Sequence, residues 1–231
     1  MRTLFLQAPS FDGFDGGAGS RYQSKREIRS FWYPTWLAQP AALVANSKLI
    51  DAPPHGISLV EVAAEAKNFD LAVLHTSTPS FASDVRAIAA LKAANPALKA
   101  GLIGAKAAVD ADGCLKSAPI VDFAARNEFD FTIKEIADGK DWKSIPGLSF
   151  RDGDGQIQHT PDRQVLENMD ALPFVTPVYK RDLQISHISS AISGTRISRS
   201  TPDAAANRGA HSACGRRASA AIATAPAASA M

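Results

Sequence analysis

The sequence predicts an α/β fold: a flavodoxin-like, five-stranded parallel sheet with helices on both faces, followed by a small hairpin, a linker and a disordered tail. Three observations carry this. Short apolar runs alternate with helical patterns from the N-terminus to about Ala137, as repeated strand–helix units require. The segments between the runs are of helix length rather than hairpin length, so successive strands must run parallel. From about Ser186 the chain turns to Ala, Ser and Arg with little apolar periodicity, a composition that does not offset the entropy of ordering.

The strands are read over Thr3 to Gln7, Lys48 to Asp51, Leu71 to His75, Ala100 to Gly104 and Ile120 to Ala124. Between them, Leu37 to Ser47, Ser58 to Lys67, Ala82 to Ala94 and Phe131 to Ala137 carry apolar residues at three- and four-residue spacing, the mark of amphipathic helices. Ser58 and Ser83 are placed to cap two of these. After Trp142, Ile145-Pro146-Gly147-Leu148-Ser149-Phe150, then Asp152-Gly153-Asp154-Gly155 and Gln156-Ile157-Gln158, predict a hairpin with a glycine turn. Leu172-Pro173-Phe174 and Thr176-Pro177 read as extended linker. The resulting organisation is a sheet domain over residues 1–140, hairpin and linker over 141–185, and the tail over 186–231.

Composition narrows the function. The 231 residues are 45% hydrophobic, enough for one good core, and the net charge is only +2. Acids and bases interleave, without the one-sided basic stripe that nucleic-acid binding needs. Cys114 and Cys214 lie far apart, and the opening Met1-Arg2-Thr3-Leu4-Phe5 is no signal peptide, so the reading is a cytoplasmic chain without a disulfide framework. No apolar run approaches the roughly 20 residues that span a bilayer, so a lipid would be met from the membrane surface.

Two clusters of distinctive composition lie near the N-terminus. Gly13, Gly16, Gly17 and Gly19 follow the first strand, yet the Lys-Ser/Thr ending of a phosphate-cradling loop is absent, and a mobile loop is the reading. Arg21, Lys25, Arg26 and Arg29 next to it read as a solvated helix face, and no site is assigned there.

Several segments together resemble the cobalamin-binding module that precedes many radical S-adenosylmethionine domains. They are Phe69-Asp70-Leu71-Ala72-Val73, Leu91-Lys92 with Asn95-Pro96, Leu102-Ile103-Gly104-Ala105, Val121-Asp122-Phe123, Arg126-Asn127-Glu128 and Ile145-Pro146-Gly147-Leu148-Ser149. The resemblance covers roughly residues 1 to 180. More narrowly, Ser10-Phe11-Asp12-Gly13-Phe14-Asp15-Gly16-Gly17 and Phe31-Trp32-Tyr33-Pro34-Thr35-Trp36 resemble the hopanoid-biosynthesis-associated radical S-adenosylmethionine family.

The resemblance implies a cobalamin tail inserted near the ends of the third and fourth strands, beside Thr76, Ser77, Thr78, Gly104, Ala105 and Lys106. Hydroxyls and unbulky residues suit that task, although the family often has a second Gly where this chain has Ala105. The same Thr76-Ser77-Thr78 run equally suits a polar turn into the next helix. Relatives that coordinate cobalt through His do so from Asp-x-His-x-x-Gly. The nearest string here, Asp51-Ala52-Pro53-Pro54-His55-Gly56, has the wrong spacing and follows the wrong strand. No metal ligand and no catalytic residue is therefore assigned, and cobalamin is expected to bind weakly or not at all, without His55 on cobalt.

An intact parent, by the same resemblance, would use a [4Fe-4S] cluster and S-adenosylmethionine to remodel the side chain of a hopanoid lipid. It would need Cys-x3-Cys-x2-Cys, which this chain lacks. Back-translating the tail from Arg199 with permitted codons and starting at the third base gives L-Y-T-G-R-G-C-K-S-R-C-T-F-C-L-W-P-Q, which contains that motif. The expectation is an out-of-frame tail and a chain inactive as an enzyme. The alternative is a stand-alone flavodoxin-like binding or regulatory module with a natural disordered tail.

Overall fold

Five apolar runs form parallel strands in the computed structural model, which describes residues 1–9 and 33–185. In chain order the first elements are β1 (Thr3–Gln7), α1 (Thr35–Leu43), β2 (Ser47–Asp51), α2 (Ala52–His55), α3 (Leu59–Ala66), β3 (Leu71–His75), α4 (Phe81–Ala94) and β4 (Lys99–Ile103). They continue with α5 (Ala105–Val109), α6 (Ala111–Ser117), β5 (Phe123–Ala125), α7 (Phe129–Ala137), β6 (Leu148–Arg151), β7 (Ile157–His159) and α8 (Thr176–Asp182). The glycine-rich stretch, the basic cluster from Arg21 to Arg29 and the tail from Ser186 lie outside the described residues.

The strand order is β2-β1-β3-β4-β5-β6-β7, with β1 to β5 parallel. The period of two along each strand sorts the core into two layers. Leu4, Leu6, Ala72, Leu74, Leu102 and Ala124 pack with Val62 of α3, Ile88 and Leu91 of α4 and Leu115 of α6. Phe5, Val73, Ile103 and Phe123 pack on the other face with Leu37 of α1, Ile133 and Ile136 of α7 and Val178 of α8. Gly101 sits where any side chain would collide with the Phe123 ring, 2.2 Å from an ideal Cβ, so the glycine makes room for that aromatic.

The sheet has seven strands rather than five because the expected hairpin does not stand apart from it. β6 pairs antiparallel with β5, and β7 with β6. Gly155, at φ +78°, supplies the left-handed turn residue between them. Arg126 secures the junction: Nη1 donates to Ser149 Oγ at 2.5 Å, and Nη2 to the Thr160 carbonyl at 2.5 Å and to Asp162 Oδ1 at 2.9 Å. The fifth strand itself starts at Phe123, later than Ile120. Val121 N–H turns back to the Ala118 carbonyl, and the Asp122 carboxylate accepts from Ala100 N–H at 2.6 Å.

Two other local expectations are corrected. Thr176-Pro177 is not extended but opens α8, because proline fits the first helical turn, where its missing N–H costs nothing. From α8, Asp182 accepts the Leu49 N–H at 2.8 Å and so closes the exposed edge of β2. Ser83 is no cap; it lies inside α4, where it accepts from Arg86, and Ser80 occupies the cap position. Ser58 does cap α3, its hydroxyl accepting from Glu61 N–H while the Glu61 carboxylate accepts from Ser58 N–H.

Candidate functional site

An order of β2-β1-β3 puts successive connections on opposite sides of β1, which makes the carboxyl ends of β1 and β3 the switch point beyond which sheets of this class bind ligands. Residues at those ends are Gln7, His75 and Thr76, with Gly104 following β4. Gln7 is 1% exposed, and its Oε1 has no hydrogen-bond partner among the described residues. The His75 ring lies 5.2 Å from Trp36 of α1, the two planes tilted.

Gly104 is fixed by packing. At φ +102° and ψ −175° it adopts a conformation confined to glycine, and an added Cβ would meet His75 Nε2 and the Thr76 carbonyl, both at 2.6 Å. Thr76 N–H donates to the Ile103 carbonyl at 2.8 Å, tying the ends of β3 and β4 together.

The six residues expected to meet a ligand divide in two. Thr76 and Ser77 are both buried: Ser77 Oγ shares a 2.8 Å hydrogen bond with Ser80 Oγ, while Thr76 Oγ1 has no hydrogen-bond partner among the described residues. Thr78 and Ala105 are exposed, and Gly104 and Lys106 are half-buried. Lys106 Nζ binds Asp110 at 2.5 Å, which raises its pKa. The surface presented to a ligand is therefore small and neutral: the Thr78 hydroxyl, the Ala105 methyl and the backbone at Gly104.

Beneath this surface lies a group that sequence reading missed. Asp84, 2% exposed, has its pKa pushed up to about 7 by burial, although the Thr76 and Ser80 hydroxyls favour the charged form. In sequence it resembles any acid in the first turn of a helix, and only its burial distinguishes it.

On the β2 side, Tyr179 of α8 stacks on Tyr33 with ring centres 4.7 Å apart and shares a 2.8 Å hydrogen bond with Thr35 Oγ1. Burial raises its phenol to about 12. His55 is structural: Nδ1 lies 2.7 Å from the Asp51 carbonyl, and Nε2 accepts from Gln184 N–H at 2.9 Å. With both ring nitrogens engaged, this imidazole has no lone pair to offer a metal.

Two further places gather polar groups. A cavity of about 1030 Å³ opens beyond β5, between the start of α7 and residues 161–168. Burial, then Glu128, raises Asp130 there to about 7. Ser149 Oγ lies 2.8 Å from His159 Nδ1, and His159 Nε2 lies 3.6 Å from Asp112 Oδ1, the wiring of a hydrolytic triad. Ser149 is 0% exposed and already accepts from Arg126, so a substrate carbonyl cannot reach it. Among the described residues no group of three His, Cys, Asp or Glu is placed to hold a metal ion, and no helix is long and apolar enough to cross a membrane.

No protein-family model matches the chain, and no curated protein is similar to it. Among solved structures it is similar to the cobalamin-dependent S-adenosylmethionine radical enzyme OxsB. With aqua-cobalamin and S-adenosylmethionine bound, that structure matches at a TM-score of 0.53 and 12% identity over 71% of this chain. OxsB with aqua-cobalamin alone matches at 0.50 over 71%, and its apo form at 0.50 over 64%, both at 12% identity. The chain spans 22–23% of that enzyme's length. At this identity the likeness is one of fold: a parallel-dominated α/β module of a kind found in a cobalamin-dependent radical enzyme.

Proposed function

We propose that this chain is a cobalamin-binding-type module derived from a radical S-adenosylmethionine enzyme of hopanoid side-chain tailoring, with the catalytic part displaced by a reading-frame change near Gln184 to His187. The observation that carries the reading is the topological switch point at the carboxyl ends of β1 and β3, on a fold similar to that of a cobalamin-dependent radical enzyme. The opening motifs and the Cys-x3-Cys-x2-Cys motif in the shifted frame support the narrower assignment.

The residues present fit a neutral ligand arm. Thr78 offers one hydroxyl, Gly104 and Ala105 leave room for close approach, and Gln7 holds a buried carbonyl oxygen without a partner among the described residues. Cobalamin would supply a cobalt centre for group transfer or radical chemistry, while the chain's own part is to bind and orient the arm. His55 supplies no axial ligand, since both of its nitrogens are committed. Affinity is weak, because an isolated half-site immobilises a large ligand while burying only part of it.

The test is titration with hydroxocobalamin, followed by absorbance, in the full chain and in His55→Ala. Weak saturable binding with a spectrum unchanged by the substitution is expected. Tight binding whose spectrum changes on losing His55 would show that this loop does supply the imidazole. The frame reading is tested at the locus: a one- or two-base correction is expected to restore the cysteine motif, and unrelated sequence in every other frame would remove it.

A further inference from the structure

The cavity beyond β5 is built from two walls tied together at their base. β5 ends at Ala125, and the chain turns at Asn127, φ +43°, where Phe129 N–H donates to the Asn127 carbonyl at 2.8 Å. Glu128 and the first turn of α7 form one wall, and residues 161–168 form the other. Arg163 Nε donates to Thr132 Oγ1 at 2.9 Å, Thr132 Oγ1 donates to the Pro146 carbonyl at 2.8 Å, and Gly147 N–H donates to the Pro161 carbonyl at 2.7 Å. A preformed space of about 1030 Å³ suits a small organic ligand.

Its lining is apolar at Phe131, Pro146, Pro161, Val165 and Leu166, and the charged groups among the rest are mostly acidic. The two arginines at its edge are committed: Arg163 pairs with Glu135, and Arg126 with Asp162 at 2.9 Å. Glu128, Asp130 and Glu167 pair with no cation among the described residues, and Asp130 Oδ1 is buried without a hydrogen-bond partner there. Burial first, and the negative charge of Glu128 second, oppose ionisation of Asp130. A cation between these two carboxyls offsets both effects. Among the described residues no three of His, Cys, Asp or Glu converge as a metal ion requires. A planar amidinium or guanidinium suits the place better, because it meets a carboxylate through two parallel hydrogen bonds, is weakly hydrated, and brings an apolar body to apolar walls.

We propose that this cavity binds a small organic cation, an amidinium or guanidinium on an apolar body, with Glu128 and Asp130 as its anionic contacts. The inference is independent of the corrinoid reading, since the cavity lies beyond β5 rather than at the switch point of β1 and β3.

The experiment titrates the isotope-labelled full-length chain with benzamidine, benzamide and benzoate near pH 8, following backbone amide shifts. The three probes share one ring and differ in charge. Benzamidine is expected to bind with roughly millimolar affinity, moving the Phe131 and Val165 amides and leaving Phe5 of β1 in place. Benzamide is expected to bind at least about tenfold more weakly, and benzoate not at all. Glu128→Gln and Asp130→Asn keep the shape of the wall, and each is expected to weaken benzamidine roughly threefold to tenfold while leaving benzamide unchanged. Urea unfolding shows whether each variant is folded; should one fail to fold, the other variant and the three probes on the parent chain decide. Benzamidine that does not saturate by tens of millimolar, that binds no better than benzamide, that moves amides away from this cavity, or that ignores both substitutions overturns the inference.

Discussion

Replacing Asp84 with asparagine removes an ionisable group from the interior while keeping its shape, and the effect on stability depends on pH. The carboxyl rises from 3.8 to about 7 on folding, chiefly through burial. Ionising it in the folded chain therefore costs about three pH units more than in the unfolded chain, or roughly 4 kcal/mol. The sign follows from proton uptake. Between those two values the folded state holds the extra proton, so stability is greatest below about pH 4, falls as pH rises to about 7, and is level above. Asparagine escapes the fall. After roughly 1–3 kcal/mol for imperfect hydrogen bonds, a net gain of about 1–3 kcal/mol at pH 8 remains, which shrinks as pH falls and turns into a net loss of roughly 1–3 kcal/mol near pH 4. Asp130 is raised over the same range by burial and Glu128, so the variant keeps part of the pH slope. Urea unfolding of both chains at intervals from pH 4.5 to 8 reads the difference directly. A variant no more stable than the parent at pH 8, or a difference that does not change with pH, would refute the reasoning.

Other expectations follow from contacts already described. Gly104→Ala forces a side chain into the Thr76 carbonyl and the His75 ring, and should cost about 3 kcal/mol in urea unfolding; a neutral substitution would show that the strand ends are not tied as described. Asp182→Ala leaves the Leu49 N–H without its acceptor, with an expected loss of about 1–3 kcal/mol and faster exchange of that amide. Ser58→Ala removes the capping box of α3 at an expected cost of about 1 kcal/mol in the same assay.

The parallel sheet was legible because its signal is redundant. Leu71 to His75 is a continuous apolar run that only a strand covered on both faces requires, and the structure bounds β3 at those residues. β5 was misjudged at its start because Ile120 and Val121 are apolar for another reason: Val121 is buried under α6 while its backbone makes a turn. α6 escaped notice because Gly113 argues against a helix, and its stability depends on Asp110 capping that glycine's N–H. α8 was lost to an ambiguity of proline, which opens helices as readily as it extends chains. The loop after β3 was found by its position in the topology, but the direction of its hydroxyls was not. Ser77 turns inward to the Ser80 hydroxyl and Thr76 is buried beside it, and no spacing in the sequence records which side of a turn is wet.

The central claim, that the ends of β3 and β4 carry a corrinoid site, is met most directly by hydroxocobalamin titration of the parent chain beside Ala105→Glu. The methyl of Ala105 is exposed, so the substitution leaves the core intact and puts bulk and charge where the ligand arm would lie. Unfolding by urea confirms that both chains are equally folded. The account predicts weak, saturable binding to the parent and at least a roughly tenfold loss in the variant, or about 1.4 kcal/mol. Measurable binding of equal affinity in the two chains would contradict it.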